Sequence, residues 1–282
     1  MTKMANRALK MYLNLGLIGN PLSHTLSPSL HSRFLISAGI NGGYVCFETP
    51  SKDKLPEVFD TLKKFRFRGV NVTVPYKEDV ISFMNELDPL ADDLRAVNTV
   101  LFEEGRAKGF NTDVHGFAET LRENKLDFTG SKVLMLGCGG AAKAVLRCLK
   151  DFRNIKLTVV NRDTAKAEKI LKFLNFDNAE ICDYNYISRE AVFDSVINAT
   201  SIGLDGSPFA DMSKIKCTQA AVDLQYKPWV TPFLKCYENS GCKTVNGFSM
   251  LVHQAHKAFE IWTDKKACID IPELIKLCGA AN

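Results

Sequence analysis

The sequence predicts an α/β fold in two domains, on three observations. Strand-like and helix-like patterns alternate along the chain, they do so in two separate series, and a glycine-rich turn joins strand to helix at the head of the second. The first series opens with an apolar strand over residues 12–18, ended by Gly19-Asn20-Pro21. A helix over 28–37 follows, with Ser27 as its N-cap and Pro28 at its first position, where the missing N–H is not needed. Residues 44–48 form a second strand. Leu55, Val58, Phe59 and Leu62 share one face of a helix over 54–65. The run 69–74 is a third strand stopped by Pro75, and a helix is expected near 77–84. Residues 98–102 and 107–111 read as a short hairpin turning at Glu104-Gly105.

The second series runs strand 132–136, helix 141–150, strand 157–160, helix 165–173, then strands 195–198 and 220–224. Helices over 250–263 and 272–278 close the chain. A helix near 115–123 links the two series and puts the domain boundary between Asp113 and Gly130. Such alternation builds mostly parallel sheets.

Composition narrows the classes of function. The chain has 282 residues, 46% hydrophobic and 24% charged, which is enough apolar material for a core without disulfides. Its 36 basic and 32 acidic side chains leave a net +4, too weak to point to a partner. Lys63-Lys64-Phe65-Arg66-Phe67-Arg68 interleaves cations with aromatics as a nucleic-acid surface does. It reads instead as a helix end running into a buried strand, with cations placed well at the helix C-terminus, so no nucleic acid is expected. Nine cysteines without a C-x-x-C pair fit free thiols in a reducing compartment. The N-terminal region shows no secretory pattern and no run approaches 18 apolar residues, so the expectation is a cytoplasmic protein without a membrane partner. His253 and His256 share a helix, but no carboxylate stands at ligand spacing beside them, and no metal is expected.

Gly137-Cys138-Gly139-Gly140-Ala141-Ala142 lies between a strand and a helix, the G-x-G-x-x-A context of a Rossmann-type dinucleotide-binding domain. Glycines let a pyrophosphate approach the backbone, and the bare N–H groups of the helix start favour its charge. Cys138 reads as a small tolerated residue of this loop. The next strand ends at Val160-Asn161-Arg162, where NAD enzymes usually place an acidic residue against the ribose. Arg162 there pairs with a 2′-phosphate, so NADP is the expected cofactor, with Asn161 and Lys166 beside it in the binding set. Asp163 is the rival: facing the ribose, it favours NAD.

Four polar clusters stand at strand ends or in the following loops, where α/β sheets bind ligands: Gly19-Asn20-Pro21-Leu22-Ser23-His24-Thr25-Leu26-Ser27-Pro28, Asn71-Val72-Thr73-Val74-Pro75-Tyr76-Lys77, Ala96-Val97-Asn98-Thr99 and Gly109-Phe110-Asn111-Thr112-Asp113. Their hydroxyls, amides, amine and carboxylate suit a small polyhydroxylated acid. With Asn198-Ala199-Thr200-Ser201, Asp223-Leu224-Gln225-Tyr226, Thr231-Pro232-Phe233 and Met250-Leu251-Val252-x-Gln254-Ala255, this ordered set closely resembles the shikimate dehydrogenase family from about Leu15 to Ile261. The resemblance implies an N-terminal α/β substrate domain over 12–113, completed by C-terminal helices within 250–282, and an NADP-binding Rossmann domain over 114–249.

The same resemblance implies the chemistry: reduction of 3-dehydroshikimate to shikimate with NADPH, in aromatic amino-acid biosynthesis. Lys77 and Asp113 are the implied catalytic pair; the residues alone read as a surface lysine and a helix cap. Thr25, Ser27 and Tyr226 are implied at the substrate carboxylate, and Thr73, Asn98 and Gln254 at its other polar groups. Leu224 is implied to pack on the cofactor and Gly247 to lie near the nicotinamide. Thr25 replaces the usual serine and Ser249 a common glycine, which bears on substrate choice; Asp163 replaces a Thr or Ser, which bears on cofactor choice. Quinate or amino-analogue dehydrogenases using NAD, and a non-catalytic shikimate-binding regulator, are the alternatives. Retention of both Lys77 and Asp113 argues against a regulator. A monomer or homodimer is expected.

Overall fold

A computed structural model describes residues 12–204 and 207–277. The chain divides into two compact units, Met1–Asn111 with Ala255–Asp270, and Thr112–Gln254 with Ile271–Asn282.

In chain order the first unit contains β1 (Leu13–Gly19), α1 (Ser27–Ser37), β2 (Gly42–Glu48), α2 (Leu55–Lys64), β3 (Gly69–Val72), β4 (Glu86–Leu87), α3 (Pro89–Leu94), β5 (Thr99–Glu103) and β6 (Arg106–Phe110). Its sheet has the order β2-β1-β3-β5-β6-β4. β1 pairs in parallel with β2 and β3, whereas β5 runs antiparallel to both β3 and β6. Ile18, Val70, Val72 and Val100 face a core shared with Phe59 and Leu62 of α2. Trp262, 1% exposed, packs here and donates its indole N–H to Val100 O at 2.9 Å.

The helix expected near 77–84 is only a 3₁₀ turn, Asp79–Phe83. Asn85 pins its far end, donating to Ala107 O and accepting from Ala107 N, both at 2.8 Å, which leaves no length for further turns. The sequence reading also passed over β4 and α3. Asp88 caps α3 by accepting from Ala91 N, and Pro89 follows it, so a local start signal was present. The run Lys63 to Arg68 divides as expected: Lys63 and Lys64 end α2, Phe67 packs on Phe47, and Arg68 bonds Trp262 O and Glu103.

The second unit begins with α4 (Asp113–Glu123). It continues through β7 (Lys132–Leu136), α5 (Gly140–Leu149), β8 (Lys156–Val160), α6 (Thr164–Phe173), β9 (Glu180–Cys182), β10 (Ala191–Asn198), β11 (Ile215–Asp223), α7 (Pro232–Lys235) and β12 (Lys243–Val245). All six strands are parallel, in the order β12-β11-β10-β7-β8-β9. The direction of winding reverses between β7 and β10, the switch point at which such sheets bind ligands. β9, α7 and β12 were not expected from the sequence; each has only three or four residues, too few to show a period.

α8 (Phe248–Thr263) contributes to both units, which divide at Gln254 and Ala255. α9 (Ile271–Leu277) groups with the second unit rather than with the first, where the C-terminal helices were expected. The reason is local: Ile271 and Ile275 line a cavity with Trp229, Val230, Leu234 and Phe248. The expected end of this helix at Cys278, and the rest of the chain to residue 282, lie outside the described residues. The unit boundary after Asn111 falls just ahead of α4, slightly before the expected 113–130 interval. No described helix is long and apolar enough to cross a membrane.

Candidate functional site

Register brings the first unit's polar clusters to one edge of its sheet. Gly19 lies opposite Glu48, Ile18 opposite Val72, Asn71 opposite Thr99, and Thr99 opposite Phe110. Thr73 and Asn98 therefore stand at one end of the sheet, and the loops bearing Thr25 and Lys77 leave from that end, the first running into α1 at Ser27. Thr73 N–H donates to Ile18 O at 2.9 Å, and Val97 N–H to Lys77 O at 2.7 Å, so the loop after β3 is tied to both neighbouring segments. Thr25 and Ser27 present adjacent hydroxyls, Thr25 Oγ1 donating to Ser27 Oγ at 3.2 Å. Lys77, Thr25 and Thr73 are half-buried, whereas Asn98 is buried.

Behind this edge lies a network that the sequence reading missed. Tyr44 donates to Asn71 Oδ1 at 2.8 Å, and Asn71 Nδ2 donates to Asn98 O at 3.2 Å and Thr99 Oγ1 at 3.1 Å. Thr99 in turn donates to Asn98 Oδ1 at 2.9 Å. Buried groups of this kind are costly unless partnered, so the network fixes where Asn98 sits. His31 stacks on Tyr44 with centroids 4.3 Å apart, and burial holds its imidazole down to about 3, hence neutral.

In the second unit the parallel register likewise places the residues after β7, β8, β10, β11 and β12 along one edge. Gly137 has φ +90, and a Cβ there would stand 2.7 Å from Thr200 Cγ2, so the turn tolerates only glycine. At Gly139 and Gly140 an added Cβ meets nothing within 4 Å. The backbone of the loop thus faces open space ahead of α5, and a pyrophosphate fits where side chains would otherwise project. Burial pushes the Cys138 thiol up to about 11 against the pull of Lys166 and Lys143, so it stays protonated at neutral pH and is no nucleophile.

Asn161 links this loop to the next helix. Its Oδ1 accepts from Cys138 N at 3.1 Å and its Nδ2 donates to Asp163 O at 2.7 Å. Asp163 is the N-cap of α6, its carboxylate accepting from Lys166 N at 2.9 Å. Between the two, Arg162 is exposed, with its charge acting on the Tyr184 phenol, which burial pushes up.

Leu224 follows β11 and is half-buried, and Gly247 N–H donates to Gln225 O at 2.8 Å. A Cβ on Gly247 would come within 2.0 Å of Leu224 O, which explains the glycine. The Leu224–Tyr226 segment is anchored by Asp223, another residue the sequence reading left without a role. Asp223 accepts from Asn198 Nδ2 (2.9 Å), Gln225 N (3.0 Å) and Thr231 Oγ1 (2.6 Å). Burial nonetheless raises its carboxyl to about 6. Tyr226 sets its ring edge-on to Phe248. Asp113, 6% exposed, is the first residue of α4 with Thr112 at the cap position, so it is not the helix cap that its sequence context offered. Gln254 is half-buried on α8.

His253 and His256 do not converge. His253 Nε2 lies 2.8 Å from Glu123 Oε1, and His256 Nε2 lies 3.0 Å from Ala267 O. Among the described residues no group of three His, Cys, Asp or Glu side chains is placed to hold a metal.

The family model of the shikimate dehydrogenase substrate binding domain matches residues 17–100, and that of shikimate / quinate 5-dehydrogenase matches residues 119–214. The NADP(+) shikimate dehydrogenase of Carboxydothermus hydrogenoformans is 37% identical over 257 residues, covering 88% of this chain and 90% of the relative. The shikimate 5-dehydrogenase of Thermus thermophilus, solved with NADP(H) and shikimate, superposes with a TM-score of 0.83 at 33% identity, covering 96% of this chain and 100% of that one. The Listeria monocytogenes shikimate 5-dehydrogenase solved with shikimate and NAD gives 0.81 at 30% identity, covering 98% and 99%.

Proposed function

The chain belongs to the shikimate dehydrogenase family, and we propose that it reduces 3-dehydroshikimate to shikimate with NADPH, with Lys77 and Asp113 as its catalytic residues. One observation supports the substrate side: Thr73 and Asn98 stand at one end of the first unit's sheet, and the segments bearing Thr25, Ser27 and Lys77 leave from that end. The hydroxyls of Thr25, Ser27 and Tyr226 donate to the substrate carboxylate, while Thr73, Asn98 and Gln254 bond its ring oxygens. NADPH, when bound, supplies the hydride. The ammonium of Lys77 stabilises the charge that develops on the ketone oxygen and delivers its proton. Asp113 accepts from a substrate hydroxyl.

On the cofactor side, the open turn Gly137 to Ala141 takes the pyrophosphate at the start of α5. Asn161, Arg162 and Lys166 take the ribose 2′-phosphate, with Leu224 and Gly247 toward the nicotinamide. The N-cap bond of Asp163 gives that carboxylate a role within α6 and supports NADP over NAD. The eight described cysteines are all free thiols, which supports placement in the reducing cytoplasm. The test is formation of the reduced nicotinamide, followed by absorbance, with shikimate and NADP, then with quinate and with NAD. No absorbance change with any pair would favour a ligand-binding regulator.

Thr25→Ser is expected to keep activity and to sharpen the preference for shikimate over quinate. It removes one methyl beside Ser27 Oγ while keeping the hydroxyl. One methyl in a pocket is worth at most ~1–3 kcal/mol of discrimination. An unchanged ratio of kcat/KM for the two acids would show that the methyl is not sensed.

A further inference from the structure

Glu123 ends α4 and holds two side chains of α8 at once. Ser249 Oγ donates to Glu123 Oε2 at 2.6 Å, and His253 Nε2 lies 2.8 Å from Oε1. Ser249 and His253 are neighbours one helical turn apart on α8, and His253 is only 6% exposed. A carboxylate in the last turn of a helix faces the negative end of the helix dipole, so this glutamate is not placed there for α4 itself.

Two turns earlier, Gly116 brings the same part of α8 to within backbone contact. A Cβ on Gly116 would stand 2.6 Å from Met250 O and 2.9 Å from Gln254 Cβ. Gly116 lies one turn after Asp113, and Gln254 is the residue whose root it touches. The helix presenting Asp113 and the helix presenting Gln254 are therefore fixed at two points, a steric fit at Gly116 and a doubly bonded carboxylate at Glu123. The end of α4 is held in turn by Lys243 Nζ, which donates to Asn124 O at 2.9 Å.

We propose that Glu123 is a positioning residue for the reaction: by holding Ser249 and His253 it fixes α8 against α4 and so sets the spacing of Gln254 and Asp113. The proposal rests on the functional reading above, which puts both groups on the substrate. Loosening the carboxylate moves Gln254 and weakens substrate binding. The pyrophosphate turn is not among the groups that Glu123 holds, so cofactor binding is expected to change less than substrate binding.

Steady-state kinetics of Glu123→Ala, Glu123→Gln and Ser249→Ala test this, with shikimate and NADP varied separately. Glu123→Ala is expected to raise KM for shikimate about fivefold, because small misplacements of positioning groups weaken catalysis steeply. KM for NADP is expected to rise less than KM for shikimate, since the pyrophosphate turn is not among the groups that Glu123 holds. Glu123→Gln, which still offers one acceptor and one donor, restores most of the affinity, and Ser249→Ala falls between. A merely structural role would lower the active fraction and leave KM for shikimate unchanged, and that result overturns the proposal. Should Glu123→Ala fail to fold, Ser249→Ala, which removes one hydroxyl, decides alone by the same KM. Wild-type chain that shows no activity with shikimate and NADP overturns the functional reading and this proposal with it. Active wild type with indifferent variants overturns this proposal only.

Discussion

Lys77→Ala is expected to lower kcat by ~10²–10³ while changing KM for shikimate far less, because the charge that Lys77 stabilises develops only in the transition state. The fold makes this a clean substitution. Lys77 is held by its backbone, its carbonyl accepting from Val97 N at 2.7 Å, and Tyr76 beside it is anchored by its own hydroxyl on Thr49 O at 2.6 Å. Removing the side chain leaves both bonds, so the loop after β3 keeps its course. Asn98 and Thr73, proposed to bind substrate, are untouched by the substitution, so affinity is expected largely to survive. A purified variant with near-wild-type kcat would remove Lys77 from the mechanism and leave the sheet edge as a binding surface alone.

The parts of the site that could be read from the sequence are those whose signal is local. Gly137, Gly139 and Gly140 announce themselves because strand, turn and helix are contiguous, and the structure adds why Gly137 is needed, with its positive φ and a Cβ clash on Thr200. The position of Arg162, the second residue past β8, was legible for the same reason. Lys77 and Asp113 were not legible from the residues: they are far apart in the chain, and each has an ordinary explanation as a surface lysine or a helix cap. Only the ordered resemblance singled them out. The supporting residues were invisible because their partners are distant in sequence. Tyr44 bonds Asn71, Asp223 bonds Asn198, and Glu123 bonds His253. No pattern in a window reports such pairs, and a Tyr, an Asp or a Glu in a strand or helix has many uses. The cap on α6 had a signal that was read only halfway. Asp163 preceding Thr164-Ala165-Lys166 is a helix start, and the structure uses it as one.

That cap sharpens the prediction for Arg162→Ala. KM for NADP is expected to rise about tenfold or more, and KM for NAD to move little. A charge-assisted hydrogen bond is worth ~1.5–3 kcal/mol, and a guanidinium can hold a 2′-phosphate through two of them. NAD has no phosphate there to lose. Asn161 fixes the approach, since it ties Cys138 N on one side to Asp163 O on the other and leaves Arg162 exposed between them. The rival influence gives a different pattern. A carboxylate of Asp163 turned to the ribose would repel the phosphate, so Asp163→Ala would improve NADP. With that carboxylate bonded to Lys166 N instead, Asp163→Ala is expected to cost about 1 kcal/mol of stability through loss of the cap, and to leave the preference for NADP in place. Kinetics of both variants with both cofactors, read beside their melting curves, separate the two cases. Better use of NADP by Asp163→Ala, or an equal effect of Arg162→Ala on both cofactors, would assign the ribose contact to Asp163.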